Sequence, residues 1–258
     1  MTDRIDDAVE LLEAAHRILV FSGAGLSTES GIPDFRGPDG LWTRVDPEDF
    51  NIDRFLTSRD LRVRGWRMHV DGELWGARSR VVPNPGHMAI VRLHRVGRLA
   101  GVVTQNVDGL HHRSGLDDQV VAELHGNVRN SHCIACGHTW PTETVLAWVE
   151  AGAEDPRCPD CGGIVKTDTV MFGEMLPESE VRRANDFLAE ADAVLVVGST
   201  VSVWPAAEIV MTAAATSRPV VIINQGDTEA DHIAAVKIDA GIGAVLPELV
   251  DRIVGSSP

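Results

Sequence analysis

Five short runs of aliphatic side chains constrain this chain most: RILVF (17–21), AGVVT (100–104), TVMF (169–172), AVLVV (193–197) and PVVII (219–223). They are near-continuous rather than alternating, the pattern of strands covered on both faces. Helical patterns lie between several of them. Ile5, Val9 and Leu12 fall at i, i+4 and i+7 ahead of the first run, and Pro177 to Glu190 and Pro205 to Thr216 precede the fourth and fifth. Strands alternating with helices predict an α/β fold with a parallel, doubly wound sheet.

Two stretches break the alternation. Residues 37–85 hold no convincing buried strand and read as a helical insertion. It closes at PNPGH, where Asn84 can cap a helix and Pro85 can occupy its first turn. Residues 129–168 hold all four cysteines, as Cys133-x2-Cys136 and Cys158-x2-Cys161, each pair followed by a glycine, Gly137 or Gly162. Four thiolates at this spacing suit tetrahedral zinc, and a four-sulfur site keeps no open position for water, so the metal expected here is structural. Its task is to fold a module too small to hold itself together. A disulfide or free-thiol reading of the same residues is the alternative. The expected division is therefore 1–36, 86–128 and 169–258 as the large domain, 37–85 as a helical insertion and 129–168 as a zinc-binding module.

Charge narrows the partners. Acidic residues outnumber basic ones 38 to 23, for a formal net charge of −15. Such a surface repels a phosphate backbone and favours basic partners, so no direct nucleic-acid partner is expected. The opening MTDRIDDAVELLEAAHRILVF lacks the basic-then-apolar order of a signal peptide, and no run approaches the roughly 20 apolar residues of a membrane span. A cytoplasmic protein without a membrane partner is expected, a compartment that keeps thiols reduced.

The chemistry concentrates after two of the runs. RILVF leads into SGAGLSTESGIPDFRG, where Gly23 and Gly25 allow close backbone approach and Ser27 or Thr28 could cap a following helix, aiming N–H groups at a phosphate. Thr28 stands where a third glycine of GxGxxG would fall, and no acidic residue ends a second strand about 20 positions on, so a plain tight turn is the competing reading. AGVVT leads into TQNVDGLHHRSG. Gln105, Asn106 and Asp108 therefore lie at or past the C-terminal end of a strand, where open α/β sheets bind ligands. Adjacent helical residues point about 100° apart, so His111 and His112 cannot share a site. One packs and the other is solvated. His125 follows VVAEL at a strand end, and position alone leaves it as either a general base or a histidine satisfied by the fold.

Taken in order, GAGLSTESGIPDFRG, TQNVDGLHHRSG, ELHG, the two CxxC pairs, TVMFGE and GSTVSVWPA resemble the sirtuins, NAD-dependent protein-lysine deacylases, in their bacterial form, across residues 15–250. The resemblance implies a Rossmann-like large domain and a smaller discontinuous one made of the helical insertion and a zinc ribbon, with NAD as co-substrate in the cleft between them. It implies that Gly23, Ala24 and Gly25 approach the dinucleotide and that Asp34, Phe35 and Arg36 close over the nicotinamide ribose. Gln105 would contact a ribose, and Asn106 and Asp108 would line the nicotinamide pocket, with Asn106 acting in catalysis. Gly198, Ser199, Thr200 and Asn224 would hold the phosphates and the adenosine ribose. His125 would be the base that activates the ribose 2′-hydroxyl after the acyl oxygen has displaced nicotinamide. An acyl-lysine peptide would add as a strand between Gly173-Glu174 and Val201–Val203, against Val170, Phe172 and Val203. Acyl-lysine proteins or peptides are the implied substrates; a monomer is the expected assembly, although the sequence does not fix the oligomeric state.

Departures from that pattern carry information. The turn reads Gly198-Ser199-Thr200 where many members have Gly-Thr-Ser, and both hydroxyls survive. The chain contains no tyrosine, so the Tyr–Arg pair by which one branch recognises malonyl and succinyl groups cannot exist. Arg62, Arg64, Arg67, Arg78 and Arg80 read as a solvated basic face, with a different acyl-carboxylate pocket as the alternative. Three other activities compete: ADP-ribosyl transfer to protein on the same scaffold, a non-catalytic zinc-ribbon interaction module, and a conventional dehydrogenase, which the incomplete glycine fingerprint disfavours.

Overall fold

The computed structural model describes residues 2–72 and 80–255. Nine strands follow one another along the chain: β1 Ile18–Ser22, β2 Leu99–Thr104, β3 Val121–Glu123, β4 Gly126–Cys133, β5 Thr139–Pro141, β6 Val165–Thr169, β7 Ala193–Val197, β8 Val220–Ile223 and β9 Val236–Ile238. Six form one sheet in the order β3-β2-β1-β7-β8-β9, every neighbour parallel. Four of the aliphatic runs are its centre, and every residue of β1, β2, β7 and β8 is buried.

The α-helices are α1 Thr2–Ala14, α2 Ile52–Thr57, α3 Arg59–Asp71, α4 Pro85–Arg95, α5 Leu110–Arg113, α6 Thr142–Glu150, α7 Glu178–Glu190, α8 Glu208–Ala215 and α9 Ile242–Val254, and five of them, α1, α4, α7, α8 and α9, cover the faces of this sheet. Strand alternation sorts them. Ile18 and Val20 join the core of α1, α4 and α9, while Leu19 and Phe21 face α7 and α8. The packing is close. A Cβ on Gly101 of β2 would lie 2.3 Å from the Phe187 ring of α7, so glycine there lets an aromatic ring lie against the strand. Asn84 accepts from Gly86 and His87 N–H and completes a capping box at α4, with Pro85 in the first turn, as expected.

The fifth run departs from expectation. TVMF is not a strand of the parallel sheet. The strand is β6, VKTDT, which ends where the apolar run begins and pairs antiparallel with β4. Its partner β4 also pairs with β5, making a second, three-stranded sheet. Met171 and its neighbours instead form an irregular segment, and Phe172 makes a single bridge with Asn51. Around this small sheet Trp66, Cys133, Val145, Leu146, Cys158 and Val165 form a separate core.

Among the arginines of the insertion, Arg64, Arg67 and Arg80 are solvent-exposed as expected of a solvated face, and Arg62 departs from it. Arg62 of α3 is 4% exposed. Its Nε and Nη2 donate to both carboxylate oxygens of Asp155, at 2.8 and 2.9 Å, and its Nη1 donates to the Phe55 and Leu56 carbonyls. Arg59 and Arg67 pair with Glu154, and Arg64 with Asp49. This ties the helical insertion to the cysteine-bearing segment. Arg80 is exposed, and Arg78 lies outside the described residues.

Candidate active site

The strand order reverses direction between β1 and β7, the place where open α/β sheets leave a crevice at their carboxyl ends. Two glycine turns meet there. Gly25 N–H donates to the Gly198 carbonyl at 2.9 Å, and Gly23 N–H to Val197 at 3.0 Å. Gly198 has φ +62°, and a Cβ on it would stand 2.3 Å from the Leu26 nitrogen. No other residue fits at that contact. The loop after β1 is a 3-10 segment, Ala24–Ser30, with no side-chain cap. The expectation of a helix capped by Ser27 or Thr28 is therefore corrected. Ser27 Oγ donates to Asp108 at 2.7 Å instead, and Thr28 Oγ1 donates back to Gly25.

A cleft of about 550 Å³ opens here, within the range of small-molecule sites. Gly23, Ala24, Gly25, Asp34, Phe35, Arg36, Gln105, Asn106, His125, Gly198, Ser199, Thr200 and Asn224 all line it. So do Val170, Phe172, Gly173, Glu174 and Val203. Asp108 does not. It lies behind Asn106, 9% exposed, accepting from Ser27 Oγ and from Leu110 N–H at 2.8 Å. Burial raises its carboxyl pKa, and those two hydrogen bonds oppose the rise.

Hydrogen bonds fix the polar wall. Asn106 Nδ2 donates to the Gly23 carbonyl at 3.0 Å and Gln105 Nε2 to Ser199 Oγ at 2.8 Å, so the end of β2 is tied to both glycine turns. Asn224 Nδ2 donates to the Gln225 and Gly226 carbonyls. The Asp34 carboxylate accepts from Gly37 N–H and shapes its own loop. Val201, a β-branched residue at φ +54°, holds a strained backbone beside Ser199.

The three histidines separate. His125 lines the cleft, and its Nδ1 lies 3.2 Å from the Gln105 carbonyl. His111 is buried beneath the sheet end. Ser22 Oγ donates to Thr104 Oγ1, so it accepts from His111 Nε2, 2.8 Å away. Thr104 Oγ1 also accepts from Asn106 N–H, which makes this chain a support under the cleft. His112 points elsewhere, to Asp118 and Glu123. Burial lowers the pKa of all three.

Sequence reasoning passed over two groups. One is the aromatic set Phe35, Trp42, Phe50 and Phe172, with centroids 5.1, 5.2 and 6.3 Å apart, which joins the loop after β1 to the insertion and to the segment after β6. Trp42 and Phe50 lie in an irregular stretch with no periodicity to mark them. The other is Lys166, a buried lysine within β6. Nothing in VKTDT distinguishes it from a surface lysine.

The four cysteine sulfurs lie within 4.8 Å of one another, with Cys133–Cys161 at 3.5 Å and Cys136–Cys158 at 3.7 Å. A zinc–sulfur bond of about 2.3 Å in a tetrahedron puts sulfurs about 3.8 Å apart, so the donor set fits zinc. Gly137 and Gly162 take φ +73° and +72° in the turns behind each pair.

Comparison with known proteins agrees with this geometry. The Sir2 family model matches residues 23–205. NAD-dependent protein deacetylase 1 of Pyrobaculum aerophilum is 39% identical over 98% of this chain and 96% of its own length. Its counterpart in Rhodopseudomonas palustris, an NAD-dependent protein deacetylase, is 38% identical over 97% of each chain. A solved Sir2 variant with a deacetylated p53 peptide and 3′-O-acetyl ADP ribose superposes with a TM-score of 0.85 at 32% identity, covering 97% of both chains.

Proposed function

Because this chain belongs to the Sir2 (sirtuin) family, we propose that it is an NAD-dependent protein-lysine deacylase, with His125 as its base. The reaction consumes one water: NAD loses nicotinamide, the acyl group of the modified lysine passes to the ADP-ribose, and water releases the free lysine amine. NAD is thus the co-substrate, and zinc in the four-cysteine site serves structure.

The observation that carries the assignment of the base is the His125–Gln105 contact. A carbonyl oxygen only accepts, so Nδ1 holds the proton and Nε2 keeps its lone pair. Burial depresses the pKa of this imidazole, keeping it neutral near pH 7, as a base must be. Asn106, held by Gly23 and braced through Thr104, presents a fixed carboxamide to the nicotinamide end. Asp108 acts through Ser27, behind that wall. Ser199, Thr200 and the carbonyl oxygen of Asn224 offer partners to phosphates and ribose hydroxyls. Phe35 and Val107 exclude water, which would otherwise hydrolyse an oxocarbenium-like centre.

The acyl-lysine peptide adds by main-chain pairing between Gly173-Glu174 and Val201–Val203. The division proposed is residues 1–36, 86–128 and 169–258 as the large domain, with 37–85 and 129–168 inserted; the small core that Trp66 shares with Cys133 and Cys158, apart from the cores on the two faces of the large sheet, supports it. A cytoplasmic monomer is the assembly proposed. Among the described residues no helix is long and apolar enough to cross a membrane.

The test is incubation with an acetyl-lysine peptide, with and without NAD, following peptide mass and small products together. Equal yields of deacetylated peptide, nicotinamide and acetyl-ADP-ribose are expected. ADP-ribose left on protein, with the acetyl group retained, would replace this reading by ADP-ribosyl transfer.

A further inference from the structure

The segment that follows β6 has to be rigid to template a peptide, yet it belongs to no regular sheet beyond Thr169. Its backbone is held at three places. Val170 N–H donates to the His125 carbonyl at 2.8 Å, Phe172 N–H to Phe50 at 2.9 Å, and Ile52 N–H to Phe172 at 3.0 Å. Beyond Phe172 the chain closes a tight turn: Glu174 N–H donates to the Met171 carbonyl at 3.0 Å, and Gly173 takes φ +91° at the position where such a turn requires it.

The turn is fastened by side chains. Glu174 Oε2 accepts from Met171 N–H at 2.8 Å and lies 3.0 Å from Lys166 Nζ. The same Nζ donates to the Thr169 carbonyl at 2.7 Å. One ammonium therefore spans the segment from its first residue to its last. The lysine side chain is 4% exposed and that of Glu174 26%, so the ammonium is shielded from solvent while the carboxylate is partly open to it, and the two hydrogen-bond acceptors on Nζ fix its position. Lys166 also lines both the catalytic cleft and a second, charged cavity of about 530 Å³ on the far side of the segment. It is part of the wall between them.

We infer that Lys166 is a positioning residue for the acyl-peptide substrate: through Glu174 and the Thr169 carbonyl it sets the strand edge against which the peptide pairs. This role rests on the deacylase reading. It acts on the peptide rather than on NAD, because the glycine turns and the Asp34–Arg36 loop are held by their own contacts.

The test measures kcat and KM for both substrates in the full-length, zinc-loaded protein. Lys166→Met, which keeps the unbranched apolar stem and removes the ammonium, is expected to raise KM for an acetyl-lysine peptide about tenfold or more, with KM for NAD changed by less than about twofold. Lys166→Arg, which can still pair with Glu174, is expected to recover part of the loss. A peptide KM unchanged in Lys166→Met overturns the inference. So does an equal rise in both KM values that Lys166→Arg does not relieve, since that marks general loosening. Should Lys166→Met fail to melt cooperatively, Glu174→Gln takes its place: it keeps an acceptor for Met171 N–H and removes the charge facing Lys166. The same peptide-selective rise is expected, and an unchanged peptide KM overturns the role. A wild-type protein that removes no acetyl group overturns the deacylase reading, and this role with it.

Discussion

His125 Nδ1 meets the backbone carbonyl of Gln105 at 3.2 Å, and the side chain of that same Gln105 reaches Ser199 at 2.8 Å. One residue thereby orients the imidazole and ties it to the turn expected at the phosphates. Burial lowers the His125 pKa, and the carbonyl contact opposes that shift. The neutral, active form should persist below the ordinary histidine value of about 6.5. The acid limb of a kcat/KM profile is expected to fall at a pH lower than that. His125→Ala should melt like wild type and lose deacylation. Full activity in that variant would remove the base assignment.

A second acid effect concerns stability rather than rate. His87 and His111 are 0% and 2% exposed, with ring centroids 5.3 Å apart. Burial lowers the His87 pKa to about 4 and His111 well below its usual value. An unfolded chain takes up protons at these sites below pH 6.5 and the folded one does not. Their contribution is therefore complete above about pH 6.5 and is lost as pH falls toward 4. His87 alone should cost about 2 kcal/mol at pH 5. Urea unfolding at pH 7 and pH 5, with zinc content checked in both samples, measures this. Equal unfolding free energies at the two values would contradict it.

How much of this was legible beforehand varied with the kind of residue. AVLVV is β7 residue for residue, because a strand buried on both faces must be apolar throughout. β9, Val236–Ile238, left no comparable trace, being three residues at a sheet edge with a lysine in the middle. TVMF misled for the opposite reason: its apolar side chains face a cleft and an aromatic cluster rather than a sheet core. Gly23, Gly198, Asn106 and His125 could be found because strand ends concentrate function. Spacing puts Asp108 two residues past Asn106 but does not show which way the turn points its carboxylate, which accepts from Ser27 and Leu110. Capping by Ser27 or Thr28 is the reading that local sequence offers, whereas Asp108, the partner of Ser27, lies 81 residues away.

The zinc site and the insertion should fail together. Arg62 and Asp155 are 4% and 6% exposed, and Asp155 lies three positions before Cys158. Breaking a buried pair on one side costs about 3–5 kcal/mol where the remaining charge has no other partner; here the half-exposed Arg157 also pairs with Asp155 at 2.7 Å, which places the loss at the lower end of that range. Arg62→Met is expected to lower the unfolding free energy by about 3 kcal/mol, read from the shift in denaturation midpoint, while zinc content stays near one per chain. Cys133→Ala, or chelation, should lose the metal and unfold the small core that Cys133 shares with Trp66. Trp66 lies on α3, so the loss should be visible as a change in tryptophan fluorescence. A zinc-free, well-folded and active Cys133→Ala protein would refute a structural metal.

Acyl preference follows from where the charges of α3 go. Arg59 and Arg67 are paired with Glu154, Arg62 with Asp155 and Arg64 with Asp49, so all four arginines of the helix are committed. Arg64 lines the cleft, but with an aspartate already on its guanidinium. His69 also lines it, and burial lowers its pKa to about 4, leaving it neutral at pH 7. Leu61, Met68 and Phe55 complete an apolar wall. A terminal carboxylate entering there would lose water and find no free cation on the helix, a penalty that acetyl and propionyl groups escape. Acetyl-lysine peptides are therefore expected to exceed succinyl-lysine peptides in kcat/KM by about tenfold or more. Matched peptides differing only in the acyl group decide the matter. A succinyl preference of that size would mean that Arg64 leaves Asp49 when substrate binds. Asp49→Asn, by freeing the guanidinium, should narrow the gap.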